Sequence, residues 1–398
     1  MTMSKTFHPP ARLLLGPGPS NIEDRVLQAM SAPMIGYFDP GMPEITGEIS
    51  RLLRMVFGTA HPMTLPVSGT GTAGMEAAII NLLESGDTAL VASNGYFGDR
   101  MVQIVERCGA VPVKVEAEWG RPILPEQVEA GFKSAGGAKV LAVVHAETST
   151  GVLQPLDGLR KIADRYGAYF LVDAVTSLGG HPVEVDRHGV DACYSGTQKA
   201  LSAPTGLSPI TLSDRAMERI RRRPRKLQSF YLDLALFEQY WMGNPVYHHT
   251  PPTTFHYALL EALRIIEEEG LEARWARHRA NHLALVAGLE AMGLQMHVER
   301  PYRLWTLNTV KIPAGVDDAK VRGRLLKEFG IEIGGGLGTL KGKVWRIGLM
   351  GVNSRPSSVL LLLAALERIL PAEGYRCGSG IMAANEAYQG QGSAGRTP

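Results

Sequence analysis

One lysine stands alone in a long stretch of small and apolar residues. Between Ala192 and Ser213, Lys199 is the only charged residue. Burying an unpaired ammonium group is costly unless the group loses its proton or finds a partner. A lysine that is kept neutral can attack a carbonyl carbon, whereas an ordinary lysine in a surface loop does no chemistry. The uncharged stretch suggests a neutral, nucleophilic lysine, and an ordinary lysine in a surface loop stays the alternative.

Two earlier segments carry groups that such a lysine would need. In "LVDAVTS", Asp173 ends an apolar strand, 26 residues before Lys199. A carboxylate there needs a partner, for which a protonated pyridine nitrogen is suitable; the alternative is an aspartate that caps the next loop. In "SGTGTAGMEA", Gly69 and Gly71 open a helix after a strand, so free N–H groups could bind one phosphate. A tight strand–helix turn is the alternative there.

An arginine in the C-terminal third completes the group. Arg346 lies in "VWRIGLMG", and a guanidinium binds a carboxylate through two parallel hydrogen bonds. The alternative is a surface arginine on an edge strand. A phosphate turn, an aspartate and a lysine in this order are what a pyridoxal 5'-phosphate (PLP) enzyme needs. The aspartate keeps the ring nitrogen protonated, and the lysine binds the cofactor and moves the proton.

The elements around these residues alternate regularly. From Thr64 to about Ser213, apolar strand-like segments alternate with helix-like segments, which predicts an α/β fold with a mostly parallel sheet covered by helices on both faces. The C-terminal third is typical of a smaller α+β domain. We predict an N-terminal extension (1–19), a large domain (20–270), a small C-terminal domain (271–375) and a tail (376–398). The tail is rich in Gly, Ser and Ala, so we expect it to be partly mobile or held by a partner.

The composition is that of a soluble globular protein. With 398 residues, 45% of them hydrophobic, and a net charge of +2, the chain has no overall field that favours nucleic acid or an anionic membrane. Three cysteines without pairing or metal spacing indicate a reducing compartment. Prolines interrupt the N-terminal segment where a signal peptide needs an apolar core, so we expect a cytoplasmic protein. The basic run "RIRRRPRK" (219–226) is either a solvated helix end or a site for an anion.

Several longer stretches resemble one family over roughly residues 11–370. They are "LLLGPGPSN", "STGVLQPLDG", "LVDAVTSLGG", "YSGTQKAL", "YHHT" and "GKVWRIGLMG". They are similar to the class V, fold-type I aminotransferases, in particular the alanine–glyoxylate and serine–glyoxylate aminotransferase group. The resemblance implies a fold-type I PLP-dependent transferase with a seven-stranded, mostly parallel sheet. It also implies a homodimer whose active sites are shared between the subunits.

The resemblance assigns roles to individual residues. Lys199 matches the lysine that binds PLP covalently, and Asp173 matches the partner of the ring nitrogen. Phe97 stands where the mammalian enzyme has a tryptophan stacked on the ring. The other implied cofactor contacts are Thr70, Gly71, Thr72, Thr148, Val175 and Gln198, with Tyr247 and Thr250 supplied by the other subunit. The implied substrate contacts are the carboxylate clamp Arg346, together with Tyr37 and Gly18.

The implied reaction moves the amino group of a small L-amino acid to glyoxylate, with alanine favoured as the donor and serine next. Aspartate–glyoxylate and ureidoglycine–glyoxylate aminotransferases are the nearest alternatives. The ureidoglycine enzymes would have Gln and Asn where this chain has Tyr37 and Tyr247, which argues against a ureido substrate. The mammalian alanine enzyme has His in place of Tyr37, so the choice of donor stays open at this point.

A cysteine desulfurase-like lyase is a more distant alternative. Such enzymes usually stack a His on the ring, place a His before the lysine and use a reactive Cys. Here the equivalent residues are Phe97 and Gln198, and no cysteine lies between residues 194 and 376. A scaffold that had lost its activity would not need the lysine, the aspartate and the arginine. The adjacent His248 and His249 lack an evident third ligand, so we expect no metal.

Overall fold

The computed structural model describes residues 9–242 and 246–394. Its strands are β1 (Leu13–Leu14), β2 (Met63–Ser68), β3 (Thr88–Ser93), β4 (Val111–Glu116), β5 (Val140–Val144), β6 (Ala146–Glu147), β7 (Val152–Leu153), β8 (Tyr169–Asp173), β9 (Ala192–Tyr194), β10 (Leu207–Leu212), β11 (Leu307–Lys311), β12 (Ile331–Glu332), β13 (Gly334–Gly335) and β14 (Val344–Gly348). Its α-helices are α1 (Asp24–Met30), α2 (Gly41–Phe57), α3 (Gly71–Leu82), α4 (Tyr96–Arg107), α5 (Pro125–Ala135), α6 (Leu159–Arg165), α7 (Val185–His188), α8 (Asp214–Arg221), α9 (Leu234–Met242), α10 (Thr253–Glu269), α11 (Leu271–Ala291), α12 (Asp318–Phe329), α13 (Pro356–Ala372) and α14 (Gly380–Ala394). None of these helices is long and apolar enough to cross a bilayer.

Seven strands form the main sheet, in the order β2–β10–β9–β8–β5–β3–β4. β10 runs antiparallel to both of its neighbours, and the other neighbouring pairs are parallel. Parallel neighbours need long crossovers, and helices provide them here. The predicted α/β class with a mostly parallel seven-stranded sheet is therefore confirmed.

Both faces of the main sheet are buried. Along β5, Leu141 and Val143 belong to the core on one face, whereas Val140 and Ala142 belong to the core on the other. Each of these four side chains is at most 1% exposed. A strand covered on both faces needs apolar residues at every position, which explains the continuous apolar runs in the sequence.

A smaller antiparallel sheet lies in the C-terminal part of the chain. Its central strand is β14, with β11 and β13 on either side. The helices α11, α12, α13 and α14 share its core, which includes the buried side chain of Trp345. The N-terminal segment joins this unit, because β1 pairs with β12 and Leu15 is buried in the same core. The predicted α+β character is confirmed, and the domain boundaries stay a prediction.

The C-terminal tail contains a helix that was not predicted from the sequence. Gly380–Ala394 forms a helix, α14, that packs against α11 and α13 of its own chain. A Cβ at Gly288 in α11 would lie 2.9 Å from the carbonyl oxygen of Gly380, so these helices approach closely. Tyr388 Oη donates a hydrogen bond to Asn281 Oδ1 at 2.7 Å. Small residues thus let this segment pack as a helix on its own chain, and a partner that holds the tail stays a prediction.

The basic run 219–226 lies at the C-terminal end of α3. Arg219 Nη2 contacts the carboxylates of Glu84 (2.9 Å) and Asp87 (3.1 Å). Arg223 Nη1 donates to carbonyl oxygens in the last turn of α3. The phosphate turn predicted from the sequence is at the other end of this helix, about 18 Å away at 1.5 Å per residue. These two arginines therefore close a helix end rather than line the predicted phosphate turn.

The strand register aligns three strand ends. Val144 pairs with Asp173, and Asp173 pairs with Tyr194 on the next strand. These residues lie at the carboxyl ends of β5, β8 and β9, where ligands bind in open parallel sheets. The register therefore directs attention to the loops that leave this edge.

Candidate active site

Lys199 lies in the turn after β9, and its side chain is 8% exposed. Its Nζ atom donates a hydrogen bond to the carbonyl oxygen of Pro17. A Cβ on Gly18 would lie 2.5 Å from Nζ, and Gly18 has a φ of +102°. Glycine is thus required there for its backbone conformation and for the space that the lysine occupies. The N-terminal segment therefore forms one wall of the site. Gly18, which was predicted as a substrate contact, lies against the side chain of Lys199.

The environment of Lys199 favours a neutral amine. Burial lowers its pKa to about 8; the charge of Arg346 acts in the same direction, whereas Asp173 raises the pKa. At pH 7, an amine with such a pKa is neutral in roughly one molecule in ten, far more often than an ordinary lysine. The buried Lys199 is therefore a usable nucleophile and proton carrier, and the alternative of a solvated loop lysine is wrong.

Asp173 keeps its charge through two hydrogen bonds in a buried position. Its Oδ1 accepts from the backbone N–H of Val175 at 2.8 Å, and its Oδ2 accepts from Tyr194 Oη at 2.8 Å. Burial raises the pKa of Asp173 to about 6, whereas these two donors and the charge of Lys199 lower it. At neutral pH the group is a carboxylate with lone pairs left for a third donor, such as a protonated ring nitrogen.

The predicted phosphate turn opens α3. Its N-cap is Thr70, and no side chain in the described part of the chain caps this helix end. A Cβ on Gly71 would lie 3.2 Å from Cγ2 of Val175, so two predicted cofactor contacts adjoin. Oε1 of Gln198 is buried and has no hydrogen-bond partner among the described residues. A phosphate oxygen could accept hydrogen bonds from the free N–H groups of the turn at Thr72. It could also accept one from Gln198, whose side-chain amide can rotate to present its Nε2.

Arg346 reaches the same region from the small sheet. Its Nε donates to the carbonyl oxygen of Gly335 at 2.7 Å, and its Nη1 donates to that of Thr148 at 3.2 Å. Burial lowers its pKa to about 10, while the charge of Glu147 raises it, so the guanidinium stays charged. It forms no ion pair with any described carboxylate. The edge-strand alternative is wrong, because Arg346 is buried on the central strand β14.

A buried carboxylate that the sequence analysis missed holds Phe97 in place. Glu147 is fully buried, and its Oε2 accepts from the N–H groups of Phe97 (3.1 Å) and Gly98 (3.3 Å). Its Oε1 accepts from the N–H (3.0 Å) and Oγ (2.6 Å) of Ser149. Burial raises the pKa of Glu147 to about 7, and the Ser149 and Gly98 donors lower it. Glu147 thus caps α4 and fixes the loop that carries Thr148.

Tyr37 and Tyr247 belong to an aromatic cluster, with Thr250 beside it, that is distinct from the group of residues around Lys199. The ring of Tyr37 stacks on Tyr240 with centroids 4.9 Å apart, and it meets Tyr247 edge-on at 5.9 Å. Tyr247 Oη and Thr250 Oγ1 are 2.9 Å apart, and Tyr247 is 55% exposed. Within the described residues, neither Tyr247 nor Thr250 hydrogen-bonds to the group around Lys199. Their roles in cofactor binding therefore stay a prediction.

The fold and the groups around Lys199 define a PLP-dependent enzyme of fold type I. The amine, the carboxylate near it and the helix N-terminus offer the three partners that the carbonyl, the ring nitrogen and the phosphate of PLP require. The family model for class-V aminotransferases matches residues 42–354. The chain belongs to this family, whose members depend on PLP. The resemblance inferred from the sequence is confirmed.

Individual relatives cover nearly the whole chain. The alanine–glyoxylate aminotransferase of Callithrix jacchus is 43% identical, over 91% of this chain and 88% of that one. The solved structure of an alanine–glyoxylate aminotransferase from Nostoc sp. has 49% identity and a TM-score of 0.91, covering 92% of this chain and 97% of that chain. The ureidoglycine–glyoxylate aminotransferase structure from Bacillus subtilis has 40% identity and a TM-score of 0.94, covering 97% and 100%.

Two residues of the site, Tyr194 and Glu147, were not predicted from the sequence. Tyr194 lies within the uncharged stretch around Lys199, and only the register of β9 against β8 places it opposite Asp173. Glu147 lies at the end of an apolar run, as Asp173 does, and that shared position was the available clue. Its partners Phe97 and Gly98 lie about 50 residues earlier in the chain.

Replacing Tyr194 with Phe removes the O–H donor to Asp173 and keeps the ring. We expect the pKa of Asp173 to rise above about 6, because burial then opposes the charged form with one donor fewer. Because the carboxylate form is the active one, the acid limb of kcat/KM for amino transfer moves to higher pH, by about one unit. The pH profile of the purified variant measures this shift.

Tyr166→Phe is the matched control. It removes a hydrogen bond from Tyr166 Oη to Glu129 at 3.0 Å; Tyr166 precedes the amino end of β8, whereas Asp173 lies at the carboxyl end of that strand. We expect this variant to keep the wild-type acid limb. An unchanged acid limb in Tyr194→Phe, with the protein folded, contradicts the assigned role of Tyr194.

Proposed function

We propose that this protein transfers the amino group of a small L-amino acid, alanine first and serine next, to glyoxylate, which yields glycine and a 2-oxo acid. The observation that carries this proposal is the buried guanidinium of Arg346, whose charge acts on the Lys199 amine. Among the described residues Arg346 has no carboxylate partner, whereas the other buried arginine, Arg274, pairs with Glu269. One clamp of this kind suits substrates with one carboxylate. The names of the relatives at 43% and 49% identity support the same substrates.

The residues of this chain divide the work of such a reaction. PLP, when bound, supplies an electron sink for the carbanion that forms as the substrate loses its α-proton. Lys199 holds the cofactor and then carries the α-proton on its Nζ, because its lowered pKa permits both protonation states near neutral pH. Asp173 holds the proton on the ring nitrogen, and Arg346 orients the substrate carboxylate. Pro17 and Gly18 close the site above the lysine.

The size of the donor is limited by the surroundings of the site. A diacid would need a second cation for its distal carboxylate, and Arg219 and Arg223 of the basic run are engaged at the far end of α3. Burying an unpaired carboxylate is costly, so a methyl or hydroxymethyl side chain is preferred. Tyr37, a substrate contact implied by the resemblance, stacks on Tyr240 and would offer a donor an aromatic ring rather than a charge.

Ureidoglycine is the second candidate donor. The Bacillus subtilis ureidoglycine–glyoxylate aminotransferase has a TM-score of 0.94 to this chain. Recognition of a ureido group needs amide-type hydrogen-bond partners, whereas this chain has Tyr37 and Tyr247 at the two positions that its resemblance assigns to that task. Alanine or serine is therefore the preferred donor, and ureidoglycine is an outcome that the assay below can return.

A steady-state assay over donor and acceptor pairs tests the proposal. We expect alanine or serine with glyoxylate to have a kcat/KM at least about tenfold above that of glutamate with glyoxylate, or of alanine with 2-oxoglutarate. The unpaired distal carboxylate of the diacids is the reason for this difference. Aspartate or glutamate as the best donor would contradict the one-clamp argument, and ureidoglycine as the best donor would contradict the argument from Tyr37 and Tyr247.

We further propose that the active enzyme is a homodimer in which each subunit completes the site of the other. The resemblance assigns Tyr247 and Thr250 to the phosphate, and within the described residues neither side chain hydrogen-bonds to its own Lys199 group, with Tyr247 55% exposed. Large apolar side chains are exposed nearby, with Phe38 at 84% and Phe230 at 66%. Exposed aromatic patches of this kind are typical of protein interfaces.

Hybrid dimers test this proposal. Lys199→Ala is mixed with a Tyr247→Phe/Thr250→Ala double variant, each inactive by itself. Subunit exchange should restore one intact site in each hybrid dimer, about a quarter of wild-type activity for equal mixing.

The matched control mixes Lys199→Ala with Asp173→Asn. Lys199 and Asp173 belong to the part of the site that one and the same subunit supplies. Each site of such a hybrid dimer therefore lacks one of these two residues, and the mixture should stay inactive. Absence of recovery in the first mixture, with exchange demonstrated by mass, contradicts the shared site.

A further inference from the structure

The predicted phosphate cradle lacks a full positive charge. Thr70, Gly71, Thr72 and Gln198 are all neutral. A phosphate monoester carries a charge of about −1.5 to −2 at neutral pH, and a helix N-terminus offers only about half a positive charge. Lys199 and Arg346 have other tasks, at the carbonyl of PLP and the carboxylate of the substrate. The cradle therefore needs a cation from another element.

Arg100 places a guanidinium next to this cradle. It lies on α4, one turn after Phe97, and its Nη1 donates a hydrogen bond to Thr72 Oγ1 at 3.0 Å. Its Cζ lies 4.9 Å from the centroid of the Phe97 ring and 5.3 Å from that of Tyr96. The guanidinium thus bridges the predicted ring-stacking residue and the predicted phosphate turn. A planar donor at this point can present further N–H groups to phosphate oxygens.

Arg100 has no carboxylate partner among the described residues. The neighbouring Asp99 pairs instead with Lys114 at 2.9 Å and accepts a hydrogen bond from Ser93 Oγ at 2.7 Å. Burial is the largest influence on the pKa of Asp173, and the charge of Arg100 opposes it. Arg100 is therefore an unneutralised cation whose field reaches the site.

We propose that Arg100 supplies the positive charge that binds the phosphate group of PLP. The inference rests on the proposed function, because it assumes that the site binds this cofactor. Thr72 forms the link: its hydroxyl already accepts a hydrogen bond from Arg100, and it lies in the first turn of the helix whose N–H groups would bind the phosphate. Packing on the Phe97 ring holds the guanidinium in place.

The competing interpretation is that Arg100 only supports Phe97. In that case the arginine would act on the ring of the cofactor and not on its phosphate. Pyridoxal separates the two interpretations, since it has the same ring and aldehyde as PLP but lacks the phosphate. The experiment therefore compares the affinities of the apoprotein for PLP and for pyridoxal by absorbance titration.

The variants are Arg100→Gln and, as a matched control, Arg107→Gln. Arg107 is exposed two turns further along the same helix, and its Nη1 donates to the carbonyl oxygen of Gln103 at 3.0 Å. We expect Arg100→Gln to weaken PLP binding by about tenfold or more and to leave pyridoxal binding within about twofold. Arg107→Gln should change neither affinity.

The outcomes separate this inference from the proposed function. Equal losses for PLP and pyridoxal in Arg100→Gln, or no loss of PLP affinity, would overturn the role of Arg100 and leave the aminotransferase proposal standing. Failure of the wild-type apoprotein to bind PLP would overturn the proposed function itself. Increasing salt should weaken PLP binding to the wild type more than to Arg100→Gln, since the screened charge is absent from the variant.

Discussion

The structure depends on keeping one amine buried and yet usable. Burial lowers the pKa of Lys199, Arg346 acts in the same direction and Asp173 opposes both, so the pKa of the amine lies at about 8. Each of these influences comes from a different element of the fold. The main sheet delivers Asp173, the small sheet delivers Arg346, and the N-terminal segment covers the lysine through Pro17. The main sheet, the small sheet and the N-terminal segment thus all contribute to the environment of Lys199.

Much of this arrangement could be predicted from the sequence, because its evidence is local. A lone lysine in an uncharged stretch, an aspartate ending an apolar strand and alternating elements are all short-range patterns. Tyr194, Glu147 and Arg100 were missed, because their importance comes from contacts between segments that lie far apart in the chain. The helix α14 was missed for a related reason, since close packing on α11 decides its structure and composition does not.

The alternative of a desulfurase-like lyase finds no support in the cysteines. Such a reaction needs a reactive thiolate at the site, and thiolates form at low pKa. Burial raises the pKa of all three thiols, Cys108, Cys193 and Cys377, and Cys193 is fully buried within β9. The site instead concentrates groups for binding a carboxylate and moving a proton, which is what amino transfer requires.

The central claim is that Lys199 is the amine that binds PLP, and chemical trapping tests it most directly. The protein is loaded with PLP, reduced with borohydride, digested and mapped by mass spectrometry. We expect the added cofactor mass on the peptide that contains Lys199, and its loss in Lys199→Ala. Stoichiometric labelling of another lysine, such as Lys226 in the basic run, would contradict it.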